Sequence, residues 1–461
     1  MLIEDTKMDW NTLYCPNKGC QYYGIPFRLG KLVKNGFNHG QPQALCKACG
    51  GSVVLSYATA YYGLESEAAV FETAVRALAE GNSIRATGRI VQVDKDTVCD
   101  WLNRAALHCR AGALYLWSQL HVTECQLDEL WGFVHTKEAH LPFAKVYCAT
   151  YGDAWVWLAF APVWRLVLAF VVGKRTQENA DLLLDRVKDV TDAHIPFFTS
   201  DQLPEYDDAL LHTYGVWVQP KRKGACGRYP LPRLVPADDL LYAQVVKVRE
   251  NGRVTEVKTK VIFGKPEAIT VQLANSSVSD TINTSFVERD NLSQRQSNRR
   301  LTRKTNGFSK ELIWFEKQLW LSMAYYHFVL PHHSLRQVLE TPEPTRGAGT
   351  QKRWKPVTPA MAAGITDHVW TTTELLSDRV PAQFLEQLSM LKPLLVAPQT
   401  SVERAGCGRL GGYDTDFHGT TRPASRISAV PVLSTSGPHR RAQPGGTALH
   451  LSRLQTHVCR D

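Results

Sequence analysis

The sequence predicts an α/β protein built around a mixed β-sheet, and three observations support this fold class. Strand-like runs of apolar residues begin at Glu124 and recur through residues 146–161 and 166–172. A helical segment then precedes a short apolar strand at 195–199, so the element order is β-β-β-α-β-α. The chain has 461 residues, 44% of them hydrophobic, which is enough for two or three domains with a sizeable core.

Composition and charge restrict the class of partner. The formal net charge of +9 favours an anionic partner such as nucleic acid. The beginning of the sequence, MLIEDTKMDW, carries acids and lacks the apolar run of a secretory signal, so we expect a reducing compartment. Residues 154–172 are nearly as apolar as a membrane span, but Pro162 and Arg165 interrupt them. Two buried strands are the better interpretation, and no membrane association is expected.

Four of the eleven cysteines form two close pairs in a predicted zinc-ribbon domain at residues 1–60. They are Cys15, Cys20, Cys46 and Cys49. Two close pairs on turns can supply four thiolates to one tetrahedral zinc ion. Such a site predicts a structural Zn²⁺, because a closed shell leaves no position for a catalytic water. Four thiols without a ligand are the alternative.

Residues 61–115 have a helical period and predict a helix-turn-helix. Apolar residues from Ala69 to Ala79 make one amphipathic helix, which ends near Gly81. Ser83 can cap a short second helix, and a third helix begins near Lys95. A plain three-helix packing unit is the alternative. Basic side chains that could position phosphates are Arg85, Arg89, Arg104 and Arg110.

Two acidic residues lie on strands that this topology makes neighbours. Asp128 lies inside an apolar strand, where an acid is expensive to bury unless it is paired or holds a cation. Asp201 ends the strand that follows the crossover helix. Because the first and fourth strands of an RNase H-like sheet are adjacent, the two carboxylates should be close, and Mg²⁺ or Mn²⁺ would relieve their repulsion. The predicted domain at 120–335 is therefore RNase H-like, with a mixed five-stranded sheet.

Glu288 begins a basic helix that is predicted from Ser285 to about Thr305. Seven basic and two acidic residues lie between 287 and 310, so this segment repels itself and needs an anionic partner. One helical face, spanning roughly 80°, would carry a carboxylate followed by a row of guanidinium groups. Its residues are Glu288, Leu292, Arg295, Arg299 and Arg303. Glu288 would complete a two-metal site, although a solvated helix with i,i+4 ion pairs is the alternative.

Three segments resemble the catalytic blocks of DDE transposases. They are LDELWGFV around Asp128, FFTSDQLPEY around Asp201 and FVERDNLSQRQSNRRLTRKTNGFSK around Glu288. The last block, together with the N-terminal CPNKGC and CKACG, is similar to transposases of the type encoded by insertion sequence 1. The resemblance covers residues 15–330, about two thirds of the chain. It implies that the three acids form a catalytic triad.

The resemblance also implies the partners and the reaction. The zinc ribbon and helix-turn-helix would bind terminal inverted repeats. Residues 79–102, AEGNSIRATGRIVQVDKDTVCDWL, resemble the helix-turn-helix of many bacterial DNA-binding proteins, and this resemblance places Lys95, Asp96 and Thr97 near the start of the helix that reads the major groove. Two cations, Mg²⁺ or Mn²⁺, would support DNA cleavage and strand transfer into target DNA. A homodimer or larger assembly is expected in the bacterial cytoplasm, associated with the nucleoid. Residues expected to line the DNA along the basic helix are Asn291, Arg295, Arg299 and Arg303.

The spacing of the acids departs from the simplest family pattern. Asp201 and Glu288 are 87 positions apart (288 − 201), which indicates an insertion at about 216–275. An apparent hairpin at 243–263 could contact DNA or a second subunit. Other candidates for the third acid lack the basic helical context of Glu288. These are Glu205, Asp207 and Glu267.

Two further functions are consistent with the sequence. A non-catalytic DNA-binding repressor derived from a transposase would bind in a salt-sensitive manner without cutting. A nuclease on the same fold would cut DNA without joining strands. A C-terminal extension is expected at 336–395, and the composition of residues 396–461 predicts disorder.

Overall fold

The computed structural model describes residues 8–141, 150–222, 224, 228–345, 347 and 349–390. All of them fall within the compact unit Met1–Val402. They form a mixed β-sheet with helices, preceded by a cysteine cluster, which confirms the predicted α/β class. The predicted tail at 396–461 and the start of the strand predicted at 146 lie outside the described residues.

A small antiparallel sheet forms the N-terminal module. Its strands are β1 (Leu32–Asn38), β2 (Gln41–Cys46) and β3 (Ser52–Val54), in the order β1-β2-β3. His39 and Gly40 connect β1 to β2 with φ values of 47° and 78°, the left-handed backbone that a tight hairpin turn requires. The hairpin carries Cys46 back toward the first cysteine pair.

Three helices follow, as predicted for the helix-turn-helix. They are α1 (Ala68–Ala79), α2 (Ile84–Val91) and α3 (Lys95–Leu116). The Ser83 hydroxyl accepts from Ala86 N at 3.2 Å, and the Asp94 carboxylate accepts from Asp96 N at 2.8 Å, so both later helices are capped. A Cβ at Gly88 would lie 2.8 Å from Val93 O, so the tight turn between α2 and α3 requires glycine there.

The remaining chain builds the main sheet and the helices that cover it. In chain order the elements are β4 (Glu124–Val134), β5 (Gly152–Ala161), β6 (Leu166–Gly173), α4 (Gln177–Val190), β7 (Phe197–Asp201), α5 (Pro204–Tyr214), β8 (Gly215–Val218), β9 (Arg233–Pro236), β10 (Tyr242–Glu250), β11 (Arg253–Phe263), α6 (Pro266–Ala274), α7 (Ser285–Ser297) and α8 (Leu312–Phe328). The sheet order is β11-β10-β7-β4-β5-β6. Strand β7 pairs in parallel with both β4 and β10, and the other neighbours are antiparallel.

The prediction of five strands is wrong, because the sheet has six. The hairpin predicted within an insertion supplies two of the six strands, β10 and β11. The first half of β10 is buried, and Tyr242 to Val245 pair with Phe198 to Asp201 of β7. This hairpin is therefore part of the sheet and lies directly beside one of the candidate acids.

Residues 154–172 form the adjacent strands β5 and β6, as expected from their interruption by Pro162 and Arg165. Within the part of the chain that the structure describes, no helix is long and apolar enough to cross a membrane. Alternate residues of β5 pack on opposite faces of the sheet. Trp157 and Ala159 join one core cluster, while Val156 and Leu158 join the other. The sheet is thus covered on both faces.

The C-terminal extension packs against the N-terminal module. Its elements are β12 (Gln337–Glu343), β13 (Lys352–Lys355), α9 (Pro359–Ala362), α10 (Thr372–Ser377) and α11 (Ala382–Met390). Arg379 is buried and donates to Tyr57 O at 2.8 Å and to Thr12 Oγ1 at 2.6 Å. Because a buried guanidinium needs several acceptors, these bonds fix the cysteine module to the extension.

A buried histidine gives the fold a pH dependence that can be measured. His327 accepts from Val167 N at 3.1 Å, and burial lowers its pKa to about 3. The unfolded chain then binds a proton more readily, so the free energy of unfolding should fall as pH drops from about 6.5 toward 3, by up to about 1.4 kcal/mol per pH unit. In urea unfolding between pH 4 and 8, His327→Gln should show a shallower loss. Equal slopes in the two proteins would contradict this role.

Candidate active site and metal centre

The four N-terminal cysteines converge on one point. Their Sγ atoms all lie within 4.8 Å of one another. Cys15 Sγ lies 3.7 Å from Cys49 Sγ, and Cys20 Sγ lies 3.8 Å from Cys46 Sγ. Four thiolates at about 2.3 Å from a tetrahedral zinc ion are separated by about 3.8 Å, so this donor set fits zinc. Among the described residues, this is the only group of three or more His, Cys, Asp or Glu that converges so closely.

The surroundings of two of these thiols shift their pKa values in opposite directions. Burial raises the pKa of Cys15 to about 12. The backbone N–H of Gly51 and then the side chain of Asn17 lower the pKa of Cys49 to about 6. A metal that binds here would hold each sulfur as a thiolate. Gly50 N donates to Cys46 O at 2.8 Å, which closes the tight turn carrying Cys46 and Cys49.

The main sheet brings Asp128 and Asp201 side by side. Leu127 of β4 pairs in parallel with Ser200 of β7, so the next residue of each strand is one of the two acids. Neighbours in a parallel pair project to the same face of the sheet. The prediction that topology makes these residues neighbours is therefore consistent with the strand register.

Glu288 is held over the same face of the sheet by its helix. The buried Gln126 side chain on β4 donates to Asn283 O at 2.9 Å and accepts from Val287 N at 2.9 Å. Thr199 of β7 donates its hydroxyl to Asn283 O at 3.2 Å. These bonds fix the start of α7 across β4 and β7, and Glu288 lies in the first turn. Gln126 is a positioning residue that its sequence context does not reveal.

One hydroxyl and one ammonium group connect Asp201 to Glu288. Thr284 Oγ1 lies 3.2 Å from Asp201 Oδ1 and 3.1 Å from Glu288 Oε1. Lys247 Nζ lies 3.3 Å from each oxygen of Asp201 and forms an ion pair with Glu288 Oε1. Lys247 extends from β10, whose Val245 pairs with Asp201. No sequence motif indicates this lysine, because β10 lies in the segment predicted to be an insertion.

Asp128 is the most deeply buried of the three acids. Burial first, and then the neighbouring Glu129 carboxylate, raise its pKa to about 7, and Asp201 and Glu288 add to the effect. Asn291 Nδ2 donates to its Oδ2 at 2.6 Å. Glu129 forms an ion pair with Arg175 at 2.9 Å, so it does not share the contacts of Asp128. Asp128 therefore contributes to a site where negative charge accumulates.

The carboxylate and amide oxygens of this site have the chemistry of ligands for a hard divalent cation. Carboxylate and amide oxygens are the ligands that Mg²⁺ and Mn²⁺ prefer. Asn291 Oδ1 is buried beside Asp128 and accepts no hydrogen bond from the described residues. The three carboxylates are less tightly grouped than the cysteines, since they do not all approach within 4.8 Å. Lys247 already lies between two of them.

The prediction of a single basic helical face is wrong beyond Arg295. Helix α7 ends at Ser297, because Asn298 takes an extended backbone and its side chain accepts from Arg300 N at 3.0 Å. Arg299 begins a 3₁₀ turn (Arg299–Leu301), and Arg303 follows it; both side chains are exposed. Asn291 is only 4% exposed and is bonded to Asp128, so it does not line a DNA surface as expected.

The helix-turn-helix residues predicted to contact DNA divide into two groups. Arg85 and Arg89 are exposed on α2, and Lys95 is exposed at the start of α3, where it pairs with Asp96 at 2.9 Å. Thr97 is half-buried. Arg104 points elsewhere, since its guanidinium donates to backbone carbonyls of the segment before α1. Those carbonyls belong to Ala60, Tyr62 and Gly63. This bonding disfavours the phosphate contact predicted for Arg104.

Neither a protein-family model nor a curated protein sequence matches this chain. The resemblance to DDE transposases is therefore carried by the motifs alone. The function of the two sites has to be inferred from their own geometry and chemistry.

The cysteine cluster gives a direct prediction about metal content. Replacing Cys46→Ser removes one of four thiolates, so zinc affinity should weaken at least about tenfold and the melting temperature should fall. Metal analysis of the purified protein and thermal melts would measure both changes. Cys99→Ser is the matched control, because that half-buried thiol on α3 lies outside the cluster. Equal zinc content in all three proteins would contradict the assignment.

Proposed function

We propose that this protein is a DDE-type DNA transposase with an RNase H-like catalytic domain. The observation that carries the proposal is the grouping of three acids from distant parts of the chain. Asp128 and Asp201 lie on neighbouring parallel strands, and Glu288 lies on a helix fixed over them. Acids at these three positions match the motifs that resemble the transposase blocks.

The strand order supports the fold assignment. Strands β4, β5 and β6 form an antiparallel meander, and β7 returns after α4 to pair in parallel with β4. This is the arrangement expected of an RNase H-like sheet. Strands β10 and β11 bring the sheet to six strands, one more than predicted.

The site has groups suited to phosphodiester chemistry. Bound Mg²⁺ or Mn²⁺ would supply Lewis-acid stabilisation of the reacting phosphate and favour loss of a proton from the attacking hydroxyl. Asp128, Asp201 and Glu288 would hold the cations, and Asn291 fixes Asp128 by its hydrogen bond. Asp201 and Glu288 are nearly half exposed, so the site is open to a large substrate.

One basic side chain is suited to bind the DNA backbone at this site. The buried Nε of Arg295 has no hydrogen-bond partner among the described residues. Burial and then the nearby Arg303 lower the pKa of Arg295, while the Asp128 carboxylate opposes that shift. A guanidinium with an unsatisfied donor is well suited to a phosphate oxygen. We propose that Arg295 contacts the strand whose phosphate reacts.

The N-terminal half is assigned the recognition of the DNA ends of the mobile element that the transposase would move. The exposed Arg85, Arg89 and Lys95 lie on the helix-turn-helix, and the cysteine module would be a zinc ribbon that binds adjacent DNA. A homodimer that brings two ends together in the bacterial cytoplasm completes the proposal. Double-stranded DNA would be the partner at both the ends and the target.

A DNA-binding repressor without catalysis is the second candidate. The ammonium of Lys247 already forms ion pairs with Asp201 and Glu288. It offsets part of their negative charge without a metal ion. The repressor would bind the ends with a strong salt dependence and leave the DNA intact.

Cleavage of paired element ends distinguishes these functions. We expect the protein with Mg²⁺ or Mn²⁺ to cut plasmid-borne DNA that flanks its gene and to join the ends to a target. Asp128→Asn and Glu288→Gln should each lower the rate by at least about 100-fold, because each charge contributes several kcal/mol to stabilising the reaction. Gel analysis of cut and joined products measures both steps.

Glu267→Gln is the matched control, since Glu267 is an exposed acid on α6 outside the site. Retention of activity in this variant is expected. Binding without cutting by the wild-type protein would favour the repressor. Cutting at arbitrary sequences without joined products would favour a nuclease.

A further inference from the structure

Lys247 lies at the centre of the carboxylate site. Its ammonium contacts both oxygens of Asp201 at 3.3 Å and one oxygen of Glu288. We infer that Lys247 is a built-in counter-ion, and that a divalent cation binds to these acids only by displacing its ammonium group. The inference rests on the proposed role of the acids as metal ligands.

Electrostatics make the lysine and a metal ion alternatives. The three N–H donors of the ammonium match its three contacts to these carboxylates, and its single charge offsets part of their combined charge. A divalent cation bound to the same oxygens would repel the ammonium at short range. The two cations therefore compete for the same oxygens, and the weaker charge has to leave.

The position of Lys247 permits this exchange. Its side chain is 24% exposed, and the second half of β10 rises out of the buried sheet toward solvent. Lysine is a flexible chain that reaches alternative positions at little conformational cost. Once displaced, its ammonium can contact a phosphate of bound DNA. Metal and DNA should therefore bind cooperatively. The metal frees the ammonium to contact DNA, and the DNA phosphate gives the displaced ammonium a new partner.

Manganese binding tests the counter-ion role without using activity. Lys247→Met keeps the length of the side chain and removes its charge, so Mn²⁺ should bind at least about tenfold more tightly than to the wild-type protein. The electron paramagnetic resonance signal of free Mn²⁺ measures this affinity. In EDTA the variant should melt at a lower temperature than the wild type, and Mn²⁺ should reverse the difference.

Lys258→Met is the matched control. Lys258 lies on the partner strand β11 and is exposed, with its ion pair to Glu256 at 2.9 Å outside the site. It should leave Mn²⁺ affinity unchanged. Lys247→Gln provides a second, polar replacement if the methionine variant folds poorly. Equal affinities in the Lys247 and Lys258 variants would overturn the inference.

The test separates this inference from the proposed function. Unchanged Mn²⁺ affinity together with metal-dependent cleavage would overturn the counter-ion and leave the transposase intact. Tighter Mn²⁺ binding in Lys247→Met without any cleavage would support the counter-ion and contradict the enzyme. Absence of Mn²⁺ binding in every protein would overturn both.

A second surface carries an independent inference. Strands β8 and β9 form a two-stranded ribbon apart from the main sheet, and large apolar side chains on it and its connection are exposed. Trp217 is 72% exposed and Tyr229 is 55% exposed. The Arg222 guanidinium lies over the Tyr229 ring, 3.8 Å from its centroid. Two large aromatic side chains this exposed on one ribbon and its connection are unusual for a surface that faces only water.

Charge identifies the partner of this ribbon. Between Gly215 and Pro236 the sequence contains no acidic residue. Among the described residues of this stretch, the exposed basic ones are Lys221, Arg222, Arg228 and Arg233. Aromatic rings among positive charges bind single-stranded nucleic acid, because bases stack on the rings and phosphates contact the cations. We propose that this ribbon binds a DNA strand with unpaired bases.

Binding of labelled oligonucleotides tests the ribbon. Trp217→Ala with Tyr229→Ala should weaken binding of a single-stranded 20-mer by about tenfold or more, and binding of the matching duplex much less. Val271→Ala, an equally exposed apolar residue on α6, is the control. Equal affinity of the double variant and wild type for the single strand would overturn the proposal. Loss of self-association with unchanged DNA binding would instead identify a contact between copies.

Discussion

Compensation of negative charge over the central strands β4 and β7 is the constraint on which this structure depends. Asp128 and Asp201 are neighbours because their strands are parallel and in register, and Glu288 is added by a helix fixed across them. Like charges brought this close destabilise the fold unless other groups compensate them. The compensating groups are Lys247 from β10, Asn291 from α7 and Thr284 before α7. Each comes from an element whose placement depends on the sheet.

The same framework holds helix α1 against the C-terminal end of α7 and against α8. Gly81, after α1, has φ +85°, and a Cβ there would lie 2.7 Å from Ser297 O at the end of α7. Gln318 of α8 donates to Leu78 O of α1 at 3.0 Å. One hydrophobic core runs from Leu13 in the cysteine module to Leu376 in the C-terminal extension. The proposed DNA-recognition and cleavage sites would therefore lie within one compact unit.

Local sequence patterns predicted most of the strands and helices and the positions of the candidate acids. They did not predict the groups that compensate the charge of these acids. An acid inside an apolar strand identified Asp128, and two close cysteine pairs predicted the cluster that the structure contains. Lys247 could not be found in this way, because the parallel pairing of β10 with β7 joins residues distant in sequence. The early end of α7 depends on one side chain, Asn298, capping the next turn. Helical periodicity cannot register such a competing hydrogen bond.

Anomalous scattering from crystals grown with Mn²⁺ would test the central claim most directly. We expect a manganese peak bound by Asp128, Asp201 and Glu288, with the Lys247 ammonium moved away from the two exposed acids. The displaced lysine would show that its charge and the metal's occupy the site in turn. Absence of a peak, with Lys247 still bridging Asp201 and Glu288 at saturating Mn²⁺, would contradict the assignment of these three acids as a metal site.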